Sequence, residues 1–197
     1  MFTWLKRWKL NGLLKTLKKV QYAREQGDEK AKAREIQLLR QIAEFFSAQQ
    51  YNKNFPQAKL QKFEYYRAGA GLNDPVAQYA CALMCFDVGR YYEAWSHSEY
   101  SRPVHEHYMK EAFEQAFKFL DAAEANKSVE AKRYKGLAYI YGWGVAKDTN
   151  KGFQFILDSI DMANQWAQAT KIIEKLNLNS PAFFQALTQY QSKNHKG

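Results

Sequence analysis

The sequence predicts an all-α fold, and three observations carry that prediction. Apolar residues recur three and four apart between polar ones, as in Ile36, Leu39, Ala43 and Phe46, which is the spacing of an amphipathic helix. Helix breakers separate such runs, notably Asn11-Gly12, Asn73-Asp74-Pro75 and Ser180-Pro181. A two-helix unit then recurs along the chain. With 197 residues, 46% of them apolar and only four prolines, the chain reads as one ordered domain able to bury its own core.

The first element is unlike the rest. Residues 1 to 24 hold Lys6, Arg7, Lys9, Lys15, Lys18, Lys19 and Arg24 and no acid, a net +7, while the remainder has 22 basic and 20 acidic residues. A basic tail on a balanced body argues for attachment to something anionic, a membrane, an acidic protein or nucleic acid, and against a DNA-reading domain. On a helical wheel Trp4, Leu5 and Trp8 fall opposite Leu10, Leu13, Leu14, Leu17 and Val20. A break at Asn11-Gly12 would let each half bury its own stripe. The candidate anionic-surface residues are Trp4, Lys6, Arg7, Trp8 and Lys9; the segment they form is either an interfacial anchor or a flap packed on the protein. Lysines interrupt its apolar residues, so it is not a secretory signal, and no apolar run approaches transmembrane length.

The second element runs from Asp28, a plausible N-cap after Gly27, to about Gln50. A connector at Asn52–Pro56 precedes a helix over 57–72, and Pro75 opens the next, which runs to about Val88. Cys81 and Cys85, four apart inside that helix, read as small core residues. Neither a metal site nor a disulfide framework is supported.

The repeat is clearest in EAKRYKGLAYIYGWGVAKDTNKGFQFILDSI, Glu130 to Ile160. Ala131 and Gly136 are small enough to let two helices approach, and Tyr139 supplies bulk between them. Gly142 and Gly144 can adopt positive φ at the first helix end, and Asp148 can cap the second helix. These residues, with Val145 and Lys151, resemble the Sel-one-like repeat, a relative of the tetratricopeptide repeat, and YGWGV followed by KDTNKG is the specific part. Weaker units stand in register: Ala167 opens a helix 36 residues after Ala131, and Ala77 lies 54 before it. The surplus of 18 is an insertion.

The resemblance implies a short right-handed α-solenoid of helix-turn-helix repeats, with N-terminal helices and a C-terminal capping helix. The chain then divides into a basic amphipathic segment (1-24), an N-terminal capping helix and connector (25-56), the repeat region (57-176) with an inserted loop (90-108), and a C-terminal capping helix and tail (177-197). The last helix follows Ser180-Pro181 and carries Phe183, Phe184, Leu187 and Tyr190.

The repeat does not account for the insertion, GRYYEAWSHSEYSRPVHEHY, which is dense in binding hot-spot residue types. Tyr91, Tyr92, Trp95, Tyr100 and Arg102 are the candidate partner contacts. His97, His105 and His107 are a weak metal motif, a hydrogen-bonded structural loop is the plain alternative, and His195 stands alone in the tail. No G-x-S-x-G, Walker-type or G-x-G-x-x-G motif occurs, so no enzyme, cofactor or small-molecule substrate is expected.

The resemblance implies a cytoplasmic scaffold or adaptor that holds another protein on its concave face and inserted loop, as in a bacterial secretion or envelope assembly. Two alternatives stand beside it. One is an immunity or inhibitor protein that masks a toxin or effector; the other is a membrane- or nucleic-acid-associated module, peripheral at the inner membrane face, that uses the basic N-terminus.

Overall fold

In a computed structural model the protein is described over residues 3–194, and the described residues are helical with no strand. The helices are α1 (Thr3–Glu25), α2 (Glu29–Ser47), α3 (Ala58–Gly71), α4 (Pro75–Ser96), α5 (Pro103–Ala125), α6 (Val129–Tyr141), α7 (Thr149–Met162), α8 (Ala169–Lys175) and α9 (Pro181–Asn194). His195 and the rest of the tail lie outside the described residues. Two compact units divide at Met84/Cys85, within α4.

In the first unit, Leu10 and Leu17 of α1 are buried with Leu38, Leu39, Ile42 and Phe46 of α2. Residues four and seven apart on one helix share a face, so α1 presents a single leucine stripe to α2. The break expected at Asn11-Gly12 does not occur: α1 runs unbroken through it, and the Thr16 hydroxyl donates to the Gly12 carbonyl at 2.9 Å. The helix need not break because only one of its stripes is buried. Trp4, Leu5 and Trp8 stay 71%, 47% and 68% exposed.

Polar clamps tie the same unit together. Glu35 is buried and accepts from Arg24 Nε at 2.6 Å and Gln21 Nε2 at 3.2 Å. Asp74, also buried, accepts from Arg40 Nε at 2.7 Å and from Arg40 Nη2, and from the backbone N–H groups of Val76 and Ala77 at 3.2 and 3.3 Å. It thus joins α2 to the start of α4 while capping α4, which satisfies donors that a helix N-terminus leaves open.

The second unit relies on close backbone approach. A Cβ on Gly136 of α6 would stand 2.7 Å from the Gly152 carbonyl oxygen of α7, so the pair of glycines lets these helices touch. Asp148 caps α7 by accepting from the Lys151 N–H at 2.9 Å. Gly142 closes α6 with φ +77°, and Gly144 follows at +67°. A Cβ on Gly144 would lie 2.5 Å from Phe113 Cβ, and one on Gly89 2.7 Å from the Phe113 ring, so both glycines make room for this buried α5 side chain. Phe183 of α9 meets Phe153 of α7 edge-on at 4.8 Å, and the Tyr190 hydroxyl donates to Asp158 at 2.8 Å. Ser180 caps this helix by accepting from the Phe183 N–H at 3.2 Å.

The insertion over 90–108 is not a loop. Residues 90–96 prolong α4, residues 103–108 open α5, and only 97–102 are non-helical. Pro103 stands in the first turn of α5, where its missing N–H costs nothing. The added turns are held by aromatic contacts across the hairpin.

One turn recurs at the ends of α1, α3, α5, α6, α7 and α8, with Gly27, Asn73, Lys127, Gly142, Asn164 and Asn177 at positive φ; at α3, α5 and α7 the values are +63°, +63° and +50°. In each, the next residue donates its N–H back into the helix just ended: Asp74 to Gly69, Ser128 to Ala123, Gln165 to Ile160, at 3.2, 2.9 and 2.9 Å. This is the Schellman arrangement of a left-handed helix terminus.

Candidate functional site

At the tip of the α4–α5 hairpin, side chains four apart on one helix meet side chains from the other. Tyr91 and Tyr92 contact edge-on at 5.3 Å, Tyr91 reaches Trp95 at 6.2 Å, and Trp95 reaches His105 at 5.7 Å. Tyr92 closes the set against His105 at 6.1 Å and Tyr108 at 5.2 Å. The result is a continuous aromatic ridge of Tyr91, Trp95, His105, Tyr92 and Tyr108. Tyr92 and His105 are half-buried within it, while Tyr91, Trp95 and Tyr108 face solvent.

His105 also fastens the start of α5: its N–H donates to the Arg102 carbonyl at 2.9 Å, and its Nδ1 accepts from the Arg102 N–H at 3.3 Å. That is a structural employment. His105 and His107, two apart on a helix, point to different sides, and His107 lies 4.0 Å from Glu111 instead. Among the described residues no group of three or more His, Cys, Asp or Glu side chains could hold a metal. Tyr100 and Arg102 sit exposed on the 97–102 link, so of the five candidate contacts the structure brings Tyr91, Tyr92 and Trp95 together and places the other two beside the hairpin tip.

Tyr108 and His105 belong to the ridge, yet the sequence reading did not single them out as contacts. The signal was present: Pro103 can open a helix as Pro181 does, and a helix from Pro103 places His105 and Tyr108 on one face.

The other candidate set lies on α1. Trp4, Arg7, Trp8 and Lys9 are exposed, but Lys6 turns toward the leucine stripe, and its ammonium donates to Gln49 Oε1 at 2.9 Å. Lys6 is therefore engaged with the body of its own unit. Of the cysteines, Cys81 is fully buried, and burial pushes the Cys85 thiol up to about 11, which keeps it protonated and unreactive at neutral pH.

No family model matches the chain, and no curated protein matches it either. No described helix is long and apolar enough to cross a membrane.

Proposed function

We propose that the chain is a non-enzymatic interaction protein, a short α-solenoid scaffold or adaptor, that holds another protein against the α4–α5 aromatic ridge. One observation carries this reading: aromatic side chains stand exposed in a row on two packed helices, with Tyr91 58% and Tyr108 43% accessible. Tyrosine and tryptophan on a fixed scaffold offer large contact area at small entropic cost, and so dominate binding hot spots. The solenoid reading is supported by the residues of Glu130–Ile160.

Affinity capture from the native cell lysate tests it, with wild type beside Tyr91→Ala/Tyr100→Ala. Both rings are mostly exposed, Tyr100 at 67%, so the variant should melt like wild type. A protein captured by wild type and at least about tenfold less by the variant is the expected result, since hot-spot truncation typically costs about 2 kcal/mol or more. Equal capture by both would reject the hairpin tip, where Tyr91 of the ridge and Tyr100 of the adjoining link stand, as the contact surface.

A further inference from the structure

We propose that the outward face of α1 docks the protein on an anionic lipid surface. This face is independent of the aromatic ridge. At 100° per residue, Trp4, Trp8, Lys15, Lys19 and Tyr22 fall within a narrow sector of the helix, and every one of them is exposed, Tyr22 at 66%. Arg7 and Lys18 border the sector, Lys9 lies further round beside Leu5, and all three are exposed. The opposite sector, with Leu10 and Leu17, is already spent on α2.

The structure also sorts the cations. Lys6 and Arg24 turn inward to Gln49 and the buried Glu35, while Arg7, Lys9, Lys15, Lys18 and Lys19 keep their charge at the surface, and among the described residues none of these five makes an ion pair. Charge across the whole unit points the same way. Residues 1–84 hold 15 basic and 7 acidic residues, a net +8, whereas 85–197 hold 14 and 13, a net +1. The protein's positive charge is thus gathered in the unit that also exposes Trp4, Leu5 and Trp8.

Cations alone would fit any polyanion. The apolar side chains decide among them: phosphate contacts give no role to an exposed leucine, whereas a bilayer boundary takes up Trp and Leu while lysine stems lie along it and their ammonium groups meet headgroup phosphates. The two tryptophans one turn apart would sit at headgroup level, and Lys15, Lys18 and Lys19 would continue the contact along the helix.

The test uses the full chain and phosphatidylcholine vesicles with and without phosphatidylglycerol, read by cosedimentation. The expected result is binding that requires phosphatidylglycerol, weakens as salt is raised, and falls about tenfold or more in both Trp4→Ala/Trp8→Ala and Lys15→Glu/Lys18→Glu/Lys19→Glu. These side chains are exposed, so unchanged thermal melting should accompany the loss. Brominated lipid should quench tryptophan fluorescence in wild type and quench it less in Trp4→Phe/Trp8→Phe, which keeps the apolar bulk but removes the reporters. Absence of wild-type binding, or wild-type binding by both variants, overturns the proposal. So would single-stranded RNA binding tighter than vesicle binding that falls in the same variants, which assigns the face to nucleic acid, or a dimer abolished by Trp4→Ala/Trp8→Ala, which assigns it to a second copy of this chain.

Discussion

The two units solve the same problem, burying helices against one another, by different chemistry. In the first, carboxylates go inside and arginines follow them: Glu35 holds Arg24, and Asp74 holds Arg40. In the second, glycines remove side chains where backbones meet, at Gly136 against Gly152 and around Phe113. The units differ at their surfaces as well. Inward pairing removes two charges of each sign, and the first unit keeps 13 basic and 5 acidic residues besides. The second unit is nearly balanced in charge and exposes Tyr91, Trp95, Tyr100 and Tyr108. The two proposals rest on this contrast: anionic lipid for the basic face of α1, and a protein partner for the aromatic ridge.

Removing the ring at the glycine junction should produce the largest effect. Phe113→Ala empties a buried site shaped by Gly89 and Gly144, and a cost of about 3–5 kcal/mol is expected from denaturant unfolding. A cost near that of a surface change would mean that these glycines serve no packing role. Asp74→Ala is the counterpart in the first unit: it deletes both the α4 cap and the clamp on Arg40. Because Arg40 is partly exposed and can turn to water, the expected loss is smaller, about 2–3 kcal/mol. A loss no larger than that of a cap alone would show that the ion pair adds nothing, and the contrast between the units would narrow.

The second unit has its own charged link, and pH sharpens the comparison. Lys135 of α6 bridges Asp121 and Glu124 of α5 at 2.7 Å each. Burial works to raise Glu124, but hydrogen bonds and charge from Lys135 and Lys132 hold it below its ordinary 4.5. Burial works to lower Lys135, and its two carboxylates hold it above its ordinary 10.5. A carboxylate lowered in the folded state stabilises above its unfolded value and loses that contribution as pH falls through the folded one; a lysine raised in the folded state stabilises below its unfolded value and loses it as pH rises through the folded one. Melting followed against pH should therefore fall off at both extremes, and Lys135→Met should flatten both flanks. Unchanged flanks would remove this link from the account. The smallest effect concerns the shared turn. Lys127 takes the left-handed conformation at φ +63°, which costs a side chain about 1–2 kcal/mol and glycine none, against glycine's own entropy loss. Lys127→Gly should accordingly raise stability by about 0.5 kcal/mol, and a decrease would indicate that the lysine side chain holds the turn.

Local chemistry was legible in the sequence. Asp28, Asp148 and Ser180 accept N–H groups at the helix starts their positions suggested, Pro75 opens α4, and Gly142 ends α6. What was not legible depends on partners far along the chain. Asn11-Gly12 looks like a stop, yet α1 continues because α2 gives only its leucine stripe a place to bury. The 90–108 stretch lacks an apolar core pattern, yet it is helical on both sides of the 97–102 link, where Tyr92 and Trp95 find His105 and Tyr108 across the hairpin. Lys6 was grouped with the exposed cations because nothing nearby in sequence announces Gln49, 43 residues on. The family resemblance likewise lay in turn residues and small side chains, whose chemistry is local.

The most direct test of the division of labour is to carry both exposed-aromatic variants through one protein-capture experiment. Tyr91→Ala/Tyr100→Ala should lose the captured protein, and Trp4→Ala/Trp8→Ala should retain it at the wild-type level. Retention by the first variant and loss by the second, with both melting normally, would contradict the account and move the protein-binding surface to α1.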